Sequence, residues 1–194
     1  MNTSDNVTSA VRIRPFRLAD VEAMQRWTRH TDPLFATYNV PKLTSEQSRA
    51  FFDRIAGPDT ISFGGESAGR LVAHIVLRHI DPAAASAELG IAMDPAWTGR
   101  GIGTQLLRLT LAEAARRGLR RIELDVASYN ERAMRAYRKA GFRETGRRWL
   151  SYETPVDFRA LLAEPANAWL APHVRIDTGY MISLVHMCAA TPTL

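Results

Sequence analysis

The sequence predicts a single α/β (α+β) domain in which helices flank one central sheet of about six to seven strands. Three observations carry that expectation. Segments with the apolar period of a strand alternate along the chain with segments of helical period, from Val11 to Met187. A glycine-rich stretch, Thr98-Gly-Arg-Gly-Ile-Gly103, stands between one such strand and one such helix. A length of 194 residues, 46% hydrophobic and 23% charged, is enough to bury one good core without calling for a second domain.

Val11 to Phe16 alternates apolar and basic residues as a first strand, and Asp20 is placed to cap a helix from Val21 to about Arg29 with Met24 and Trp27 inward. A second helix opens at Thr44 or Ser45, where Gln47 completes a capping box and Phe51, Phe52 and Ile55 form the apolar side. Ile61 to Glu66 and Leu71 to Ile80 read as a hairpin turning at Ser67-Ala-Gly-Arg70 and ended by Asp81-Pro82. Ala87 to Met93 is the next strand. A helix from about Gly103 to Arg117 follows the glycine stretch, with Leu107, Leu111, Ala114 and Ala115 as its stripe, and Gly118 stops it. Arg121 to Val126 then reads as a central strand, Asn130 to Ala140 as a helix ended by Gly141, Phe142 to Leu150 as a strand and Gly179 to Met187 as the last. Residues 1–10 are polar and read as a flexible tail before a domain at 11–194. The connection at about 151–178 is an insertion far longer than a hairpin loop. It contains a short helix at Phe158 to Ala163 and Trp169 among prolines, and is expected to cover an acceptor site, form a subunit contact, or pack Phe158, Leu161 and Trp169 on the protein's own sheet.

Composition excludes several classes. No apolar run approaches the roughly 20 residues of a membrane helix and no apolar leader opens the chain, so a cytoplasmic protein is expected. The single cysteine, Cys188, has no second thiol for a disulfide or a zinc pair and reads as a buried bystander. His74 and His79 fall on opposite faces of their strand and cannot share a metal there. The net charge of +5 is uneven: between Thr98 and Arg148, 13 Lys+Arg stand against 5 Asp+Glu, a local +8, so the remainder carries 5 − 8 = −3. The basic helices there have no aromatic interleaving and no nucleic-acid-binding signature, which makes a small polyanion the expected partner rather than nucleic acid.

Gly99, Gly101 and Gly103, at alternate positions, leave backbone N–H groups bare at a helix N-terminus, where they can converge on phosphate oxygens with the helix dipole behind them. A Walker loop would end in Gly-Lys-Ser/Thr, and Gly103-Thr104 lacks the lysine. A dinucleotide fingerprint gains some support from Asp125, but its third glycine would have to be Thr104. Asp94-Pro95-Ala96-Trp97 also separates strand from glycines where that turn must be tight.

The whole run resembles the GNAT N-acetyltransferase superfamily over roughly Val11 to Leu150, with Gly179 to Met187 as a last strand. Met93-x-Pro95 followed by Thr98-Gly-Arg-Gly101-Ile-Gly103 is similar to the family's Arg/Gln-x-x-Gly-x-Gly/Ala acetyl-CoA loop. Leu124-x-Val126-x-x-x-Asn130-x-x-Ala133-x-x-x-Tyr137-x-x-x-Gly141-Phe142 resembles the strand, helix and Gly-Phe ending that follow it. Thr98 departs from the pattern, standing where Arg or Gln is usual. Because backbone amides do most of the phosphate binding, the expected effect is an electrostatically weaker site. The opening Val11-Arg-Ile-Arg-Pro-Phe-Arg-Leu-Ala-Asp20 is similar to the start of the ribosomal-protein N-terminal acetyltransferase branch.

The resemblance implies a mixed, mostly antiparallel sheet and an enzyme, a monomer or homodimer, that moves an acetyl group from acetyl-CoA directly to a primary amine. That amine would belong to a small molecule or a protein N-terminus, and no metal takes part. Backbone N–H groups of Arg100, Gly101, Gly103 and Thr104 would hold the pyrophosphate, with Thr98, Gly99 and Ile102 in the same loop. The edge of Ile91, Ala92 and Met93 would pair with pantetheine amides and turn an N–H to the oxyanion. Asn130 and Tyr137, seven residues apart, share a helix face about 10 Å apart along the axis, which places Asn130 near the cofactor arm and Tyr137 near sulfur. A phenol of pKa about 10 facing a thiol of about 8.5 can protonate a nascent thiolate in a dry site. The competing reading of Tyr137 is a core aromatic whose hydroxyl bonds to backbone. Glu88 could take the amine's proton, directly or through water, or could simply pair with an arginine or face solvent. The competing function is a non-catalytic acyl-CoA-binding sensor or interaction module.

Overall fold

The computed structural model describes residues 10–151 and 156–193, so the expected N-terminal tail lies outside the described residues except for Ala10. Eight strands form one sheet: β1 (Arg12–Pro15), β2 (Ile61–Ser67), β3 (Arg70–Asp81), β4 (Ser86–Met93), β5 (Arg121–Ala127), β6 (Arg143–Ser151), β7 (Val174–Ile176) and β8 (Tyr180–Ala190). Their order is β1-β2-β3-β4-β5-β8-β6, with β7 paired to β8. Every pairing is antiparallel except that of β4 with β5. The helices are α1 (Leu18–Met24), α2 (Ser45–Arg54), α3 (Ile102–Arg116), α4 (Glu131–Ala140) and α5 (Phe158–Ala163).

Side chains alternate across the sheet and build two cores on its two faces. Ile75, Leu77 and Leu89 meet Leu106 and Leu107 of α3, and Met134 and Tyr137 of α4, in the main core. On the other face Phe16, Val21 and Met24 gather Trp27, Phe51 and Phe52 from the α1 and α2 region. The seven expected strands are all present. The eighth, β7, has three residues, too few for an alternation to be seen in the sequence.

The first helix differs from the sequence expectation at both ends. Asp20 does not precede the first helix; it is the third residue of α1, where its carboxylate accepts the Arg17 N–H at 2.7 Å. The helix also stops at Met24 rather than Arg29, because the following chain is tied down: Trp27 Nε1 donates to the Leu71 carbonyl at 3.1 Å, and the Thr28 N–H to Asp94 at 3.2 Å. By contrast, Thr44 and Gln47 exchange the expected capping-box bonds, at 3.2 and 2.9 Å. Ala68 and Gly69 turn the β2–β3 hairpin at φ 50 and 71.

Of the expected 151–178 insertion, residues 156–178 pack on the protein's own fold, and 152–155 lie outside the described residues. Phe158, Leu170 and Val174 form a third cluster with Ile182 of β8 and with Leu34, from the short 3-10 helix at Pro33–Tyr38. Trp169 stays out of it, 50% exposed, its ring edge-on to His173.

Two polar groups lie within the α1 side of the sheet. Arg14 donates to Asp20 at 2.5 and 2.8 Å and to Glu66 at 2.6 Å, joining β1, α1 and β2. His74 of β3 lies 4.3 Å from Phe16 between ring centroids, with Phe51 beyond, and its Nε2 has no hydrogen-bond partner among the described residues. Burial lowers its pKa from 6.5 to about 4, so the ring is neutral at pH 7. The unfolded chain therefore binds a proton that the folded chain refuses. The stability tied to His74 is complete above about pH 6.5 and is lost as pH falls toward 4, by about 2 kcal/mol between pH 7 and 4.5. Urea unfolding at those two pH values checks this, and in His74→Leu the acid loss is expected to shrink by that amount.

Candidate active site

The ladder between β4 and β5 joins only Ser86–Glu88 to Arg121–Glu123. Beyond it the strands separate. Leu89 to Met93 keep pairing with β3 on their other side, and Leu124 to Ala127 with β8, so the two facing edges are left unpaired. A strand edge with free N–H and C=O groups accepts an extended chain of amides. Ile91, Ala92 and Met93 lie along this open edge of β4, half-buried.

The glycine loop meets the wedge where β4 ends. Gly99 and Gly101 take φ 77 and 78, and a Cβ on either would touch nothing within 4 Å, so these glycines serve backbone conformation rather than space. Gly103 is different: a Cβ there would come within 3.0 Å of Met93 Sδ, so its bareness lets the end of β4 lie against α3. Gly101 is the residue before α3 and no side chain caps that helix. The N–H groups of Ile102, Gly103 and Thr104 at its first turn thus carry the positive end of a 15-residue helix. A pyrophosphate fits that charge and donor set.

Thr98 does not point into this cradle as a donor. Its hydroxyl gives its proton to the Pro95 carbonyl at 2.8 Å and accepts from Arg132 Nη1 at 3.3 Å. The guanidinium of Arg132, in the first turn of α4, therefore stands beside the position where the family pattern has Arg or Gln. Arg100 instead lies over the Trp97 ring at 5.4 Å.

Asn130 precedes α4 and caps it, its side-chain oxygen accepting the Ala133 N–H at 3.1 Å. Tyr137, two turns on, is 9% exposed, with its ring edge-on to Phe142 at 5.7 Å. Its hydroxyl forms no hydrogen bond among the described residues. The backbone-bonded alternative is not what is observed. Burial, and then the neighbouring Tyr38 phenol, push its pKa well above the ordinary tyrosine value, so it stays protonated throughout the neutral range.

Glu88 occupies the narrow end of the wedge, the last β4 residue paired to β5. Its carboxylate is held by the Arg78 guanidinium, its cross-strand partner on β3, and lies 3.1 Å from His79 Nδ1. Burial would raise its pKa, but Arg78 and then His79 outweigh burial and hold it below the usual carboxylate range. His79 reaches it from a bulge between Arg78 and Asp81, at φ 51.

Asp94 was legible only as part of the spacer before the glycines, yet it fixes the mouth of the wedge. It is buried and accepts N–H bonds from Thr28 at 3.2 Å and Ala96 at 3.0 Å, tying the chain after α1 to the end of β4. An aspartate before a proline is an N-cap signature that could have marked it. Among the described residues no group of three or more His, Cys, Asp or Glu could hold a metal ion, and no helix is long and apolar enough to cross a membrane.

Residues 22–142, well over half of the chain, match the model of the Acetyltransferase (GNAT) family. The chain belongs to the GNAT family. Among its relatives is the N-alpha-acetyltransferase RimI of Mycobacterium tuberculosis, 36% identical over 101 residues, a match that spans 51% of this chain and 62% of that protein. Solved GNAT structures share the fold. A spermidine N-acetyltransferase from Vibrio cholerae, in complex with CoA and spermine, superposes with a TM-score of 0.68 at 19% identity over 93% of this chain and 95% of that one. RimJ of Mycobacterium smegmatis, in complex with CoA-disulfide, does so with a TM-score of 0.66 at 20% identity over 94% and 83%.

Proposed function

We propose that this GNAT chain is an acetyl-CoA-dependent N-acetyltransferase that moves the acetyl group directly to a primary amine. One observation carries the reading: the β4–β5 ladder ends at Glu88 and leaves the β4 edge unpaired up to the loop that opens the uncapped N-terminus of α3. The N–H groups of Ile102, Gly103 and Thr104 hold the pyrophosphate, supported by Gly99, Arg100 and Gly101. The Ile91–Met93 edge binds the pantetheine amides and turns an N–H toward the carbonyl oxygen as charge develops there. Asn130 fixes the start of α4 beside the cofactor arm. Tyr137 gives its proton to the departing sulfur. Glu88 contributes negative charge at the narrow end of the wedge; its pairing with Arg78 makes it a weak base.

The names of the relatives support an amine acceptor of either a protein N-terminus or a polyamine kind. Release of free thiol from acetyl-CoA across a panel of amines and peptides tests the reading. Release with at least one acceptor is expected, whereas acetyl-CoA binding without release from any of them identifies a non-catalytic binding module.

Arg132 supplies the cation that Thr98 lacks. A guanidinium near a diphosphate in partly exposed surroundings contributes about 1 kcal/mol. Arg132→Ala is therefore expected to raise the Kd for acetyl-CoA about fivefold with kcat nearly unchanged, measured by calorimetry and steady-state kinetics. An unaltered Kd removes Arg132 from the site.

A further inference from the structure

We infer that the acceptor carries an anionic group as well as its amine, and that the site turns away polyamines; this rests on the reading of the wedge as the acetyl-transfer site. A cavity of about 140 Å³ opens at Met93 and Pro95, where the free edge of β4 ends. At roughly 30 Å³ per water, that is room for a single amino-acid side chain or a small amine. Its other walls come from the end of α1 and the segment after Tyr38. They present Arg26, Arg29 and Lys42 and no carboxylate. All three cations are exposed and none forms an ion pair among the described residues, so their charge is not spent on the protein itself. A neighbouring surface groove of about 310 Å³ shares Arg26 and Lys42 and adds one acid, Glu22.

Of the three carboxylates within three residues of these walls, Glu22 lines the neighbouring groove and the other two are held by backbone N–H groups. Asp94 is buried under two backbone N–H bonds, and Asp32 accepts the Leu34 N–H at 2.9 Å. The wall is preorganised, because His30 and Asn39 exchange two hydrogen bonds, at 2.6 and 3.1 Å, across the loop that carries Tyr38. Tyr38, which lines the cavity, is also a neighbour of Tyr137.

A spermidine-like acceptor would bring two or more positive charges to this wall and find no counter-charge in the cavity. An amine with a carboxylate a few bonds away would set that carboxylate against Arg26, Arg29 or Lys42 while its nitrogen faces the wedge. A free acidic amino acid and a peptide N-terminus with acidic residues at its second and third positions share this chemistry.

The test uses the full chain with acetyl-CoA, first confirming cofactor binding by calorimetry. Thiol release is then compared for glutamate, for spermidine, and for two peptides that differ only in acidic or basic second and third residues. The expected kcat/KM for an acid-bearing acceptor is at least tenfold above that for spermidine and for the basic peptide, and the amino-acid and peptide arms separate the two sources. In Arg26→Glu/Arg29→Glu/Lys42→Glu that ratio is expected to invert while the melting temperature and the acetyl-CoA Kd hold. Spermidine preferred by the unaltered chain, no acid-bearing amine acetylated, or a ratio unchanged in the triple variant overturns the inference alone. Absence of acetyl-CoA binding overturns the transferase reading beneath it.

Discussion

Tyr137→Phe is expected to lower kcat about 100-fold while leaving the Kd for acetyl-CoA within about twofold. The variant removes one oxygen atom and nothing else. The ring keeps its place against Phe142, and the lost hydroxyl bonds no partner among the described residues, so no donor or acceptor is orphaned. Stability should hold, because no hydrogen bond among the described residues is broken. What goes is the hydroxyl proposed to protonate the leaving sulfur. Burial keeps the phenol protonated far into the alkaline range, so the rate should show no loss attributable to Tyr137 below about pH 10. Single-turnover thiol release and calorimetry measure the two quantities. An undiminished rate would take Tyr137 out of the chemistry and leave it as a core aromatic.

The elements that could be read from sequence are those whose signal is local. The β2–β3 hairpin follows from two apolar runs and a Ser-Ala-Gly-Arg turn, and the α2 cap from Thr44 and Gln47. The glycine loop was legible for the same reason: Gly99 and Gly101 sit at positive φ, which only local conformation demands. What failed was either ambiguous locally or decided at long range. An aspartate serves a helix start equally before its first residue or at its third, so Asp20 was misplaced by sequence pattern alone. The partners of Glu88 depend on the β3–β4 register, which sets Arg78 opposite it. The packing of Phe158 against Leu34 joins segments far apart in the chain, and Arg132 reaches Thr98 across the wedge. Neither leaves any trace in a periodicity.

Arg14→Ala is expected to destabilise the fold by about 4 kcal/mol, roughly three powers of ten in the folding equilibrium. Arg14 is the shared cation of two carboxylates, Asp20 and Glu66, that are 6% and 8% exposed. Arg12 also reaches Glu66, at 2.5 Å, but its side chain is 68% exposed and it makes no bond to Asp20. Truncation at Arg14 therefore strands Asp20 as a buried charge facing no guanidinium and leaves Glu66 with only its exposed partner. The two carboxylates belong to different elements, so the loss loosens β1, α1 and β2 together. Protonation gives a second signature. Burial alone would raise the Glu66 pKa, but Arg14 and then Arg12 hold it below the ordinary value. Stability from that pairing is complete above the unfolded pKa and is lost as pH falls through the lower folded one. In Arg14→Ala much of that depression disappears, so the variant has less to lose in acid. The stability gap between the two proteins, measured by urea unfolding, should be full at pH 7 and should narrow below about pH 4. A gap below 1 kcal/mol at pH 7 would mean that the carboxylates find water or Arg12 instead, and that the network is dispensable.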